Sequence, residues 1–117
     1  MKNRKESDIQ RIRHILEAIS MVEEFVRDID QDEFERNNQT QSAVLYQFII
    51  IGEAVSLLSR EILEEYEYPW HKPRAFRNFL AHEYFGIKMW MVWNAIIKDL
   101  PELKLMVENI YSNSINN

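Results

Sequence analysis

The chain has 117 residues, no cysteine, two glycines, three prolines and a net charge of −5. That length makes one domain, 1–117, able to bury roughly two-thirds of its extended surface. The missing cysteines exclude disulfides and thiolate metal sites, and the acidic balance argues against a general nucleic-acid binder. Scarce glycine and proline, with few alternating runs of β type, favour an all-α fold. The most apolar stretch, 43–59, is interrupted by Gln47 and Glu53, and no basic-then-apolar leader opens the chain. Neither a membrane span nor a signal peptide is expected, and the cytoplasm is the expected compartment.

Ser7-x-x-Gln10 has the form of a capping box, and Ile9, Ile12, Ile15, Ile19, Val22, Val26 and Ile29 follow at spacings of three and four. They predict a long first helix with one apolar stripe. Asp30 with Glu33 can cap a short helical turn through Arg36, and Asn37-Asn38-Gln39 reads as a break. The next helix is predicted over about 40–66, with Val44, Phe48, Ile51, Val55, Leu58 and Ile62 on one stripe and Tyr46, Ile49 and Ile50 on a second. A helix apolar on two sides is either central or has a core on one side and a partner on the other. Gly52 in mid-helix costs about 1 kcal/mol relative to alanine, a cost that close approach by a neighbouring helix would offset.

Pro69 disfavours helical backbone at Tyr68 and ends that helix. A third helix is predicted from near Pro73 to Gly86, taken as a left-handed stop with Ile87 just beyond. A last helical segment, about 88–99, carries Met89, Val92, Trp93, Ile96 and Ile97 inward. Pro101 then kinks or restarts the helix, Leu103, Met106, Val107 and Ile110 continue its apolar face, and a polar tail begins at about 112. The predicted architecture is an antiparallel bundle of four to five helices.

Chemistry concentrates in 69–88, PWHKPRAFRNFLAHEYFGIK. Lys72, Arg74, Arg77 and Lys88 face Glu83 alone there, a local balance of +3, so the remaining chain carries −8. A basic patch on an acidic body suits a small, local RNA contact, although ordinary solvated surface has the same composition. Arg77 can clamp a phosphate through a planar fork of donors, and His82 can move a proton at neutral pH. Five residues apart, they point about 140° away from each other on one helix, whereas Asn78 and His82 share a face. Two copies packed about a two-fold axis could aim both groups at one phosphate. The plain alternative is a surface arginine plus a histidine hydrogen-bonded in the core. Glu53, beside apolar neighbours, either anchors Arg77 or meets water at a helix edge.

His82-Glu83 opens like a zinc-protease pattern, but Gly86 stands where the second histidine is needed, and His14 and His71 are isolated. No metal and no cofactor is expected. Glycine-rich phosphate loops and Ser-His or Cys-His nucleophiles are missing too. Trp93 is expected in the core, while Trp70, beside the motif, is open between core and surface.

The pattern Arg77-x4-His82-x-Tyr84 resembles the HEPN ribonuclease signature of the HepT toxins, partners of minimal nucleotidyltransferase (MntA) antitoxins. Ile50-Ile51-Gly52-Glu53-Ala54, Pro69-Trp70, Arg77-Asn78, His82-x-Tyr84-Phe85 and Val92-Trp93 through Asp99-Leu100-Pro101 match that family in order, over about 9–110. Lys88 departs from it, standing where members often carry an acidic cap on the last helix. The resemblance implies a HEPN-like fold and a homodimer, or higher homo-oligomer, with a composite site. It also implies a metal-independent endoribonuclease of a toxin–antitoxin pair that cuts RNA by 2′-hydroxyl attack. Arg77 and His82 would be catalytic with Asn78 orienting, Glu53 supporting, and Tyr84 the residue to which an MntA-like antitoxin attaches AMP. The rival reading is a non-catalytic helical dimer module that binds a nucleotide or a nucleotidyltransferase partner.

Overall fold

The computed structural model describes residues 4–116. Its elements are α1 (Arg4–Phe25), α2 (Gln31–Arg36), α3 (Asn38–Ser56), α4 (Arg60–Glu65) and α5 (His71–His82), then a 3₁₀ turn (Tyr84–Gly86). α6 (Met89–Asn94), a π-helical segment (Ala95–Asp99) and α7 (Leu100–Ile115) follow without interruption. This is the expected all-α antiparallel bundle, and no described helix is long and apolar enough to cross a membrane. Ile12, Ile15, Ile19 and Val22 of α1 are buried against Val44, Phe48, Ile51 and Val55 of α3, with Val107 and Ile110 of α7 in the same core. The spacing of three and four in each helix is what gathers these side chains onto one face.

Several helix ends differ from the sequence expectation. Ser7 lies inside α1 rather than at its start, and α1 stops at Phe25, ahead of Val26 and Ile29. The chain turns there through Asp28 at φ 63°, a left-handed conformation that aspartate tolerates better than most residues. Asp30 caps α2 as expected, its carboxylate accepting from the Glu33 N–H at 2.9 Å. The break after α2 is a single residue: Asn37 closes α2 and also caps α3, accepting from the Thr40 N–H at 3.0 Å.

The helix expected over 40–66 is two helices. Asp8, a buried carboxylate of α1, accepts the Ser59 N–H at 2.8 Å and the Ser59 hydroxyl at 2.5 Å. Ser59 Oγ in turn accepts from the Ile62 N–H and caps α4. A buried carboxylate must find donors, and this one finds them by interrupting α3 from a residue 51 positions away.

α5 starts at His71 and ends at His82, short of Gly86. Gly86 is not left-handed, because the chain leaves α5 by a 3₁₀ turn in which the Gly86 N–H bonds to the Glu83 carbonyl at 2.8 Å. Lys88 opens α6 with no side-chain cap. Pro101 stands at the start of α7, which begins at Leu100 directly after the π segment, so the helix type changes there as a restart would have it. The π segment widens the turn before it, so that the Leu100 N–H reaches the Ala95 carbonyl five residues back. That widening accommodates a residue with no N–H and a ring that crowds the preceding turn. Ile97, expected inward, is exposed. The tail expected from about 112 is helical to Ile115, where Asn113 donates to the Tyr66 hydroxyl at 3.1 Å.

Of the tryptophans, Trp70, left open by the sequence, is in the core, and Trp93 packs against the core but is only partly buried. Trp70 is buried and donates its indole N–H to the Tyr66 carbonyl at 3.0 Å. Trp93 is half-buried, its ring 5.4 Å from that of Phe34. Trp90 is exposed.

Candidate functional site

α5 crosses α3 at Gly52. A Cβ there would lie 2.2 Å from Arg77 Cβ, 2.8 Å from Arg77 Cγ and 2.8 Å from the Pro73 carbonyl oxygen. The glycine is therefore what lets the base of the Arg77 side chain rest on the α3 backbone, and it explains why a residue that weakens a helix sits in the middle of one. The next residue along α3, Glu53, places its carboxylate 3.2 Å from Arg77 Nη2. Asn78 accepts a hydrogen bond from Arg77 Nη1 on its Oδ1 at 2.9 Å. Arg77 Nε is buried with no hydrogen-bond partner. The guanidinium is thus held from two sides on a stem pinned against Gly52, with its side chain about one-third exposed (33%) and that of Glu53 about half (54%).

Of the two readings of Glu53, the structure has the anchor. Asn78 faces Arg77 rather than His82 through its carbonyl oxygen, which leaves its NH₂ group as a donor for a phosphate oxygen. His82 is the last residue of α5 and is exposed. The helical rotation of about 140° between residues five apart carries it away from the Arg77 clamp. Tyr84 and Phe85 follow on the 3₁₀ turn, 68% and 98% exposed, their rings edge-to-face at 5.5 Å. Glu53, Arg77 and Asn78 form one cluster, while His82 stands at the end of α5 and Tyr84 on the turn beyond it.

Sequence reasoning missed what lies beside Arg77. A surface groove is lined by Arg11 and His14 of α1, Tyr46, Ile49, Ile50, Glu53 and Leu57 along and just past α3, and Arg77. An adjoining groove shares His14 and Ile50 and adds Met21. Arg11 and His14 are three apart and so share a helix face, but no periodicity tells which helix that face meets. Of the second stripe of α3, Tyr46 is exposed while Ile49 and Ile50 are partly buried against the core, and Leu57 just past α3 and Met21 of α1 are exposed beside it.

Such a site, a fixed guanidinium on a helical bundle with a histidine at the end of the same helix and a phenol on the turn beyond it, is suited to gripping a phosphate and moving a proton near it. The family model described as ribonuclease HepT-like matches residues 15–110, and the chain belongs to that family. It is 34% identical over 107 residues to "Probable ribonuclease HepT" of Thermococcus cleftensis, covering 91% of this chain and 97% of the relative. It is 38% identical over 95 residues to "Putative RNase MJ1380" of Methanocaldococcus jannaschii, covering 80% of this chain and 87% of the relative. A third relative, "Gamma-glutamylcyclotransferase and putative RNase MJ0434" of the same archaeon, is 37% identical over 94 residues. The match covers 80% of this chain but only 42% of that longer protein. No solved structure matches significantly.

Proposed function

We propose that this chain is a metal-independent endoribonuclease of HEPN type, the toxin of a toxin–antitoxin pair, acting in the cytoplasm at a composite site between two copies. The observation that carries the reading is the Arg77 clamp, pinned over Gly52 and held by Glu53 and Asn78 in a chain of the HepT-like ribonuclease family. In the reaction the RNA 2′-oxygen attacks the adjacent phosphorus and loses its proton. The bond from phosphorus to the 5′-oxygen breaks, and that oxygen gains a proton. The products are a 2′,3′-cyclic phosphate and a 5′-hydroxyl. His82 serves as the general base or acid, a role typically worth about 10²–10⁴-fold. Arg77 stabilises the charge on the five-coordinate phosphorus, and Asn78 donates to a phosphate oxygen.

A second copy is supported by two features. The angle between Arg77 and His82 disfavours their meeting within one chain, and the exposed side chains of Tyr46, Leu57 and Met21 lie along the Arg77 groove and the one adjoining it. The exposed phenol of Tyr84 suits an antitoxin that attaches AMP, because the added phosphate would compete for Arg77.

The test is incubation of the purified protein with total RNA in chelator. Cleavage is expected from the wild type and from neither Arg77→Ala nor His82→Ala, both remaining helical. Mixing these two variants is expected to restore part of the activity, since a shared site can draw Arg77 from one copy and His82 from the other. Cleavage by folded His82→Ala protein overturns the catalytic assignment. A helical dimer that binds RNA or nucleotide without cutting selects the non-catalytic reading.

A further inference from the structure

Among the described large apolar side chains Phe85 is the most exposed, with 98% of its surface open. Such exposure forgoes most of the free energy that burial of the ring would release, and the segment holding it is not loose. The Glu83 N–H bonds to the Phe79 carbonyl at 2.8 Å, the Gly86 N–H to the Glu83 carbonyl at 2.8 Å, and Ile87 packs against the core. Tyr84 stands edge-on to Phe85 with ring planes at 88°, an arrangement favoured by aromatic quadrupoles. One flat face is therefore held out, in advance of any ligand, three residues past His82. The two Cα atoms are at most roughly 10 Å apart even with the chain extended, within reach of the nucleotides that flank a phosphate at His82.

Charge decides among the possible occupants. Residues 69–88 carry Lys72, Arg74, Arg77 and Lys88 against Glu83 alone. A single-stranded polyanion is drawn to cations interleaved with aromatic faces. We infer that Phe85, buttressed by Tyr84, is a stacking platform for an unpaired base of the RNA next to the scissile phosphate. This deepens the ribonuclease reading and rests on it. The ring selects single-stranded over duplex substrate and tolerates all four bases, since each has a π-face and the ring carries no hydrogen-bonding group.

The experiment uses the full chain and a short fluorescein-labelled RNA spanning a site that the protein cuts in total RNA, with a 2′-deoxy sugar at the cut. Binding is read by anisotropy for the wild type, Phe85→Ala and Phe85→Trp, against this probe and against probes with one flanking base removed. Phe85→Ala is expected to weaken binding by about 5- to 100-fold, and Phe85→Trp to restore it. Removing the stacked base should weaken the wild type by a similar factor and add little to Phe85→Ala. Equal binding by wild type and Phe85→Ala overturns the inference while leaving the ribonuclease reading intact, since the wild type still cuts the all-ribose RNA. Loss of dimer in Phe85→Ala, seen by sedimentation, also overturns it and assigns the ring to packing between copies. So does full RNA binding with loss only of a nucleotidyltransferase partner. A wild type that neither binds nor cuts RNA ends both readings.

Discussion

Gly52→Ala separates the effect of helix propensity from that of close packing, and the two have opposite signs. In an isolated helix the change would stabilise by about 1 kcal/mol. Here the new methyl would sit 2.2 Å from Arg77 Cβ and 2.8 Å from the Pro73 carbonyl oxygen, where ordinary contact between carbons is about 3.5–4.0 Å. Neither neighbour can swing aside, because one is the first atom of a side chain and the other is backbone. α5 must retreat from α3 by about 1 Å or more, and overpacking of that kind costs about 1–3 kcal/mol. The net expectation is a loss of up to about 2 kcal/mol, a fall in Tm of roughly 3–6 °C per kcal/mol for a chain of this size. Because α5 carries Arg77, the same shift moves the guanidinium relative to Glu53. A misplacement of about 1 Å can cost on the order of 10²-fold in rate. Thermal melting by circular dichroism and cleavage of a labelled RNA well below the lower Tm measure the two effects separately. The other glycine supplies the control. At Gly86 a Cβ would meet nothing closer than Glu83 Cβ at 3.9 Å and the backbone is not left-handed, so Gly86→Ala should leave Tm level or slightly raised. A Gly52→Ala protein with wild-type Tm and full cleavage would refute the reasoning.

Glu53→Gln removes a partly exposed ion pair worth no more than about 1 kcal/mol, so Tm should hardly move while cleavage drops roughly ten-fold through a looser Arg77. Unchanged cleavage would reduce Glu53 to a bystander. Asp8→Ala takes away both acceptors of Ser59 and should cost about 1.5–3 kcal/mol, lowering Tm while leaving cleavage intact below it; an unaltered melt would contradict that role. Co-expression with a cognate nucleotidyltransferase is expected to add AMP to Tyr84 alone, and Tyr84→Phe to resist neutralisation. Mass spectrometry showing unmodified Tyr84 in fully neutralised protein would mean that the antitoxin works by masking the site.

Much of this protein is written in short-range pattern. Apolar residues three and four apart assign the buried faces of α1, α3 and α7, because helical geometry alone brings them together. Asp30 caps α2 because its carboxylate reaches an N–H only three residues away. The residues of the candidate site are also legible, since Glu53, Arg77, Asn78, His82 and Tyr84 are chemically distinctive and ordered along the chain. The sequence even carries the hint of a close helix crossing, in a glycine at 52 where alanine would serve a lone helix better.

Tertiary structure decided whatever depends on which helix meets which. The break between α3 and α4 comes from Asp8, far outside any local window, whose burial obliges it to take the donors of Ser59. Trp70 and Trp93 both have helix-compatible neighbours, but only the packed bundle determines that the first is covered and the second only partly. Arg11 and His14 join the Arg77 groove because α1 lies along α3 on that side, and Phe85 stands free because its turn projects beyond the end of α5. A side chain's nearest partners along a helix lie within four positions and can be read from order alone. Its partners across the bundle are set by how whole faces settle against one another, and that is a property of the assembled core.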